Sequence, residues 1–426
     1  MMDQSTRRNI VLDTVGEGLW GFQSAMVMPA TVLTVLLSFY GASQAMVGGI
    51  AAVESAAMLL PPLLGVYLFR SRRQRKMQLI LWHGLLIPML PLMGLVAWNP
   101  LHLSPLLVRW ALLLAFALFS GLIGAIVTVW MDWLASLFSR DILGTVMGIS
   151  FCTSAVCGWA GALFSARLIR AFHGGPAGYG AIYLLAAVIA TISICTFLFI
   201  RDPAETQPEP ANAFSLKDLL GEFRHSVAHA NFRVLLLGRL LGSFGFCIVP
   251  LVARYYTSPA GGELSGDKVV AASSVMFLSM ALSNLALGRL GDRHGHRLGI
   301  LIGTVMQLVT LALLLLVPRT AGCYLFYAGA GVCLSAGFVP HINLLLETCP
   351  HGSRQTHLAA ANLVLAPGAV GAPLLAGFAA EHVGLRCVFG ACIAFSFATL
   401  VWMILFFKEP RTLEPGVAAR EPLARG

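Results

Sequence analysis

The sequence predicts an all-α polytopic membrane protein, with twelve transmembrane helices arranged as two pseudo-symmetric six-helix bundles. Three observations lead there. The chain is 58% hydrophobic and only 11% charged, whereas a water-facing surface requires roughly 25% charged residues, so the solvent for most of it is lipid. A helical span needs about 20 apolar residues, and the 426 residues hold about twelve such spans with short connections and one longer loop. The second half also repeats landmarks of the first at offsets of 222 and 223.

Apolar runs between charged and Pro/Gly punctuation place the spans near residues 10–38, 42–69, 77–97, 105–137, 143–170, 179–200, 232–256, 268–288, 298–317, 323–349, 355–381 and 387–407. The longest polar interruption runs from Arg201 to Asn231 and contains Asp202, Pro203, Glu205, Lys217 and Asp218. It divides the chain into a bundle over 1–200, a linker over 201–231, a second bundle over 232–408 and a tail over 409–426. Arg70, Arg72, Arg73, Arg75, Lys76, Arg140, Lys217, Arg224, Arg289, Arg293, Arg297, Arg354, Lys408 and Arg411 fall on one side of this layout. Far fewer, Arg109, Arg167, Arg170, Arg254, Lys268, Arg319 and Arg386, fall on or near the other. The positive-inside rule then puts both termini in the cytoplasm.

The repeat is visible residue by residue. A shift of 222 superposes Asn231 on Asn9, Gly238 on Gly16, Arg239 on Glu17, Phe244 on Phe22 and Val249 on Val27. The first and seventh spans are therefore counterparts, as duplicated transporter halves are. A shift of 223 sets Gly288 on Gly65, just after the second span of each half.

The formal charge of +9 does not signal nucleic acid, because the basic residues sit scattered at the ends of apolar runs rather than on one surface. The nine cysteines, among them Cys152, Cys157, Cys195, Cys247 and Cys333, lie within apolar stretches without a C-x-x-C pair. They read as small buried residues, not metal ligands or disulfides. Met1 to Arg8 is polar and basic, and the following apolar run carries Asp13 and Glu17 without a cleavage site, so no signal peptide is expected to be removed.

At the end of the eighth span the chain reads Gly288-Arg289-Leu290-Gly291-Asp292-Arg293-His294-Gly295-His296-Arg297. This resembles the G-x-L-x-D-R-x-G-x-R loop signature of the major facilitator superfamily. Glycines permit a tight reversal, the aspartate accepts hydrogen bonds at a helix N-terminus, and the arginines anchor to acidic partners and headgroups. In the first half only Gly65 and Arg70 match; Phe69 stands where the signature has Asp and Arg72 where it has Gly. The fifth span has Gly158 and Gly161 but lacks the Gly-Pro of the antiporter signature. The resemblance implies first, fourth, seventh and tenth spans lining a central cavity, with one bundle rocking against the other.

Ionisable groups inside spans cost about 2.5–3.5 kcal/mol each at a helix centre on insertion scales, so they mark where to look. Asp13 and Glu17, four residues apart, share a face of the first span, and Glu17 either meets its counterpart Arg239 across the pseudo-twofold as a gate or a substrate and proton site, or the two form a static interfacial pair or leave Arg239 to snorkel to headgroups. Glu54 in the second span has no basic counterpart and is a candidate proton carrier. Asp132 and Glu347, near the cytoplasmic ends of the fourth and tenth spans, read as gate residues; Glu347 is expected to pair with Arg293 or Arg297, and Asp132 with Arg70 or Arg73. Gln23 and Trp20, Arg109 and Trp130, Phe246, and His341 with Asn343 are the substrate-cavity candidates. Pro29, Pro250, Pro340, Pro367 and Pro373 are expected to kink their helices.

The reading is a secondary active transporter moving a small organic solute across the cytoplasmic membrane of a bacterium, coupled to protons, acting as a monomer and without a cofactor. A drug exporter is the nearest alternative, and a non-transporting sensor or assembly factor on the same scaffold is the next. Neither an enzyme nor a nucleotide-driven pump fits, since no H-E-x-x-H, G-x-S-x-G or phosphate-cradling Gly-Lys-Ser/Thr pattern is present.

Overall fold

A computed structural model of the protein describes residues 4–59, 75–201, 224, 227–317, 319–348 and 354–413. In hydrocarbon each backbone N–H and C=O needs an internal partner, and a helix supplies one within its own segment. The described chain is accordingly helical almost throughout. The spans are α1 (Gln4–Phe39), α2 (Gln44–Leu59), α3 (Lys76–Trp98), α4 (Pro105–Leu137), α5 (Arg140–Ala171), α6 (Pro176–Phe199), α7 (Ala230–Thr257), α8 (Gly266–His294), α9 (His296–Leu316), α10 (Arg319–Glu347), α11 (Arg354–Val383) and α12 (Leu385–Leu405), followed by a short α13 (Pro410–Leu413). Eleven of these are long and apolar enough to cross a membrane; α2 is a shorter apolar helix, and residues 60–74 after it lie outside the described residues.

Helix contacts repeat with a shift of six. In the first half α1 packs on α5 and α6, α3 on α4 and α6, and α2 on α4. In the second, α7 packs on α11 and α12, α9 on α10 and α12, and α8 on α10. The offset of 222 holds at atomic detail. The Asn9 amide donates to the carbonyl of Arg201 at 2.8 Å and its oxygen accepts from the Arg201 N–H at 3.0 Å. Asn231 makes the same pair with Lys408, at 2.9 and 3.0 Å. Each half thus uses one asparagine to tie the start of its first helix to the end of its last.

The two central helices also break at matching places. α1 runs helical to Met26, opens at Val27 and Met28 and continues as a π-turn from Pro29 to Leu33; α7 opens between Gly245 and Val249, beside Pro250. A proline lacks the N–H that would close the preceding turn, so Pro29 and Pro250 mark real breaks. Pro340, Pro367 and Pro373, by contrast, lie inside continuous helices.

The halves meet through α2 with α11 and α5 with α8, joined by the distal parts of α1 and α7. Gly48 and Gly377 make the α2–α11 crossing possible: a methyl group on Gly48 would strike the Pro373 carbonyl, and one on Gly377 would crowd the Gln44 carbonyl. The buried core follows these seams. Leu33, Leu36, Val47, Ile50, Leu251, Val252, Tyr255 and Val269 belong to one apolar cluster spanning both halves. Toward the end that carries the N-terminus the halves no longer share a cluster: the first half keeps Leu79, Trp133 and Ile200 of the large one beside a small group of Leu134, Phe138 and Val146, and the second half has its own, with Phe232, Leu235, Leu344 and Met403.

Replacing Asn231 by Ala removes both hydrogen bonds of its clasp, which is expected to lower stability by about 1–2 kcal/mol at a net worth of roughly 1 kcal/mol per bond. Thermal unfolding of the purified protein measures this, and Asn9→Ala should match it, since the repeat makes the two clasps equivalent.

Candidate functional site

Because the halves share a core at one end only, the crevice between them widens toward the end bearing the N-terminus and the start of α7. The charged and polar residues of the spans are best described by their place relative to it.

Glu54 faces this crevice. Val47, Ile50, Glu54 and Ala57 fall on one face of α2 at helical spacing, and Val47, Ile50 and Ala57 are buried while Glu54 is exposed. An exposed carboxylate on an otherwise inward-facing stripe opens into the space between the bundles. On α7, Arg239 follows the buried Leu235 and Leu236 by one turn and lies against α10, where its Nη2 is 3.7 Å from the position a β-carbon on Gly337 would occupy. His341 is one turn beyond Gly337 on the same face of α10 and is an electrostatic neighbour of Arg239. Arg239 Nε and His341 Nδ1 are shielded from solvent without a hydrogen-bond partner.

Glu17 and Arg239 do not meet: no ion pair links them among the described residues. The reason is geometric, since the two helices that carry them converge only beyond their breaks, at the opposite end of the crevice. Glu17 is buried on α1 beside Asp13. Asp13 is held within its own bundle, accepting a hydrogen bond from Ser150 of α5 at 2.7 Å. Gln23 is fully buried, with its amide donating to Ser24 at 3.0 Å and its oxygen unpartnered. Trp130 packs tilted against Phe151 at 6.1 Å, with its indole N–H shielded and unpartnered. Trp20 sits edge-on to His83 at 5.4 Å, and Phe246 stacks on Phe326 at 6.2 Å. Asn343 donates to the Val339 carbonyl of its own helix at 3.0 Å. Arg109 lies in the first turns of α4, at the far end from the N-terminus, where its guanidinium donates to the Gly41 carbonyl in the α1–α2 turn. This makes it a strap at the closed end.

The loop residues hold the second bundle together internally. Gly295 has φ +88°, a left-handed value that favours glycine, and admits the Glu409 carboxylate, which accepts from the Arg297 N–H at 3.0 Å and so sits on the N-terminus of α9. Arg297 donates to the Met403 and Ile404 carbonyls at 3.2 and 2.9 Å, capping the C-terminus of α12. Glu347 therefore pairs with neither Arg293 nor Arg297. Its partner is Arg411 of α13, at 2.6 and 2.9 Å, with His296 at 3.8 Å. Arg411 also donates to the Asp292 carbonyl at 3.0 Å. The tail turns back at Pro410, and this brings Arg411 to the carboxylate while Arg297 is engaged with α12. Gly288 lies on α8 with open space beside it save for Val339; Asp292 and Arg293 are exposed at its end. Gly65, Arg70 and Arg73 lie outside the described residues, as does the side chain of Asp132.

Two contacts across the seam at the closed end were not anticipated from the sequence. Arg170 at the end of α5 pairs with Asp267 in the first turn of α8 at 2.9 Å. Glu381 near the end of α11 accepts from the Ala45 N–H in the first turn of α2 at 2.9 Å and from the Ser43 hydroxyl. Both are carboxylates in or against the first turn of a helix, where the dipole favours negative charge. The available signal was only the rarity of charge on that side of the layout, where Arg170 is one of seven basic residues.

These features define a multi-pass helical membrane protein built from two repeated six-helix units around one crevice. A model of the Major Facilitator Superfamily matches residues 248–425, and solved members of that fold align over nearly the whole chain. The xylose transporter XylE from E. coli aligns with TM-score 0.68 over 96% of this chain and 99% of that one at 14% identity. The nucleoside transporter NupG aligns with TM-score 0.64 over 95% and 98% at 13% identity. The last two-fifths of the chain thus resembles the Major Facilitator Superfamily in sequence, and nearly the whole chain shares the fold of these solved transporters. Among its sequence relatives, the multidrug resistance protein MdtG of Dickeya zeae is 32% identical over 143 residues, 33% of this chain and 34% of that protein. The multi-drug resistance efflux pump PmrA of Streptococcus pneumoniae is 26% identical over 197 residues, 45% of this chain and 49% of that one. The chain thus matches about a third to a half of the length of these relatives.

Arg411→Ala is expected to cost under about 1 kcal/mol, because its side chain is 41% exposed and exposed ion pairs contribute little. Asp13→Ala leaves a buried Ser150 hydroxyl without its acceptor and is expected to cost about 1–3 kcal/mol. Thermal unfolding of the two variants side by side checks the order.

Proposed function

We propose that this protein is a secondary active transporter that moves a small organic solute across the bacterial cytoplasmic membrane by alternating access, with protons as the coupling ion. The observation that carries the reading is the buried core, shared by the two bundles at one end and divided between them at the other, where Phe232, Leu235 and Met403 belong to a cluster of the second bundle alone. Such a body is sealed on one side of the crevice and open on the other, and rocking about the middle would exchange the two. The charge bias of the loops assigns the open side, with both termini, to the cytoplasm. Glu54 is the proposed proton carrier, since it is a carboxylate in the crevice with no cation paired to it among the described residues. Glu17, buried on α1 one turn from Asp13, is the second proton candidate. Gly288, Asp292, Arg293, Gly295, Arg297 and Glu347 then serve the transport cycle by keeping the cytoplasmic end of the second bundle rigid while it moves. Export is the favoured direction, because MdtG and PmrA are described as resistance and efflux proteins.

In proteoliposomes with an imposed pH gradient, Glu54→Gln is expected to abolish gradient-driven accumulation while leaving exchange of labelled for unlabelled substrate within about threefold of the parent. Glu17→Gln tests the second candidate in the same assay. Full gradient-driven transport by both single variants would remove the proton assignment.

A further inference from the structure

The proposed transport function leaves the substrate's chemistry open, and one pair of side chains addresses it. Arg239 and His341 come from different helices of the second bundle, α7 and α10, and converge beside Gly337. Arg239 has no carboxylate partner among the described residues, and its Nε and the Nδ1 of His341 are both shielded and unpartnered. A guanidinium held away from bulk water without a counter-charge is expensive, and folded chains normally supply a partner. Four other arginines described above each have one: Arg170 has Asp267, Arg411 has Glu347, Arg297 has the α12 carbonyls and Arg109 has the Gly41 carbonyl. Arg239 is different also in position, since it lies within a span, about two and a half turns into α7 and against Gly337 of α10. Glycine at 337 leaves the space beside the guanidinium unfilled, where any larger side chain of α10 would cover it.

We propose that Arg239 and His341 form an anion-binding subsite in the crevice, taking the carboxylate or phosphate group of an organic substrate. The planar guanidinium offers paired N–H donors to either oxyanion, and the imidazole adds a further donor from the neighbouring helix. The missing counter-charge is brought by the substrate, so the cost of the unpaired cation is relieved only when the site is filled. This rests on the crevice being a substrate pathway, but binding is read without any flux.

The test uses the purified full-length protein in nanodiscs, with thermal unfolding followed at constant ionic strength against four probes: benzoate, phenyl phosphate, benzamide and benzyltrimethylammonium. A ligand of the folded state raises the apparent melting temperature. Benzoate or phenyl phosphate is expected to give a saturable rise, and which of the two does so distinguishes a carboxylate site from a phosphate site; benzamide and the ammonium probe give none. Arg239→Gln is expected to weaken the responding anion at least tenfold, roughly the worth of a hydrogen bond to a charged group. Arg239→Lys should retain part of the response and His341→Gln should reduce it, which keeps the test usable if Arg239→Gln does not fold. No shift with either anion, a larger shift with the ammonium probe, or an anion response unchanged in both Arg239 variants would overturn the subsite. Anion binding intact in a protein that carries no solute in proteoliposomes would instead overturn the transport reading alone.

Discussion

The structure depends on the seam between its two halves. α2 crosses α11 and α5 crosses α8 at close range, and at the first of these crossings the approach is set by Gly48 and Gly377, whose missing β-carbons let backbone meet backbone. Between helices in lipid there is no hydrophobic drive to associate, so van der Waals contact at small residues does the holding. The distal parts of α1 and α7, set off by breaks at Pro29 and Pro250, fill the space between the two crossings with Leu33, Leu36, Leu251 and Val252. Arg170 with Asp267 and Glu381 with the start of α2 close the rim. Arg170 and Glu381 are exposed there, and such contacts are individually weak, which suits a closure that must open again.

Charge placement then separates scaffold from site. A charge inside a span costs several times the thermal energy, and most of those present are answered locally. Asp13 has Ser150 within the first bundle, while Glu347, Arg411, Arg297 and Glu409 form one cluster that ties α8, α9, α10, α12 and α13 into a single unit. That cluster explains the loop signature physically: it fastens helix ends inside one bundle, so the bundle moves as a body. Glu54 and Arg239 stand outside this economy of local pairs. They border the crevice from opposite bundles, one acid and one base, and neither has an ion-pair partner among the described residues.

Much of the architecture was legible in the sequence because lipid imposes simple rules. Span number, the offset of 222 and the matched breaks at Pro29 and Pro250 all follow from hydropathy and repetition, and the Asn9 and Asn231 clasps show that the offset is structural. The side-chain partners were far less legible. Arg170 and Asp267 stand 97 positions apart, and only the three-dimensional packing of α5 on α8 joins them. Glu347 was matched to nearby loop arginines, but its partner lies past the last span, in a tail that hydropathy reads as mere solvent-facing chain. Glu17 and Arg239 are true repeat counterparts, yet equivalence under a pseudo-twofold sets equal depth, not contact, and the open crevice keeps them apart.

The central claim is that the seam opens during the functional cycle, and a reversible cross-link across it tests this most directly. A β-carbon at Gly266 of α8 would lie 3.9 Å from Val35 Cβ of α1, close to the ~3.8 Å typical of a disulfide. The double variant Val35→Cys with Gly266→Cys is predicted to oxidise readily, to lose transport in proteoliposomes when oxidised, and to regain it on reduction. Transport at the same rate with the cross-link intact would contradict the account, because the two halves would then work without parting at the seam.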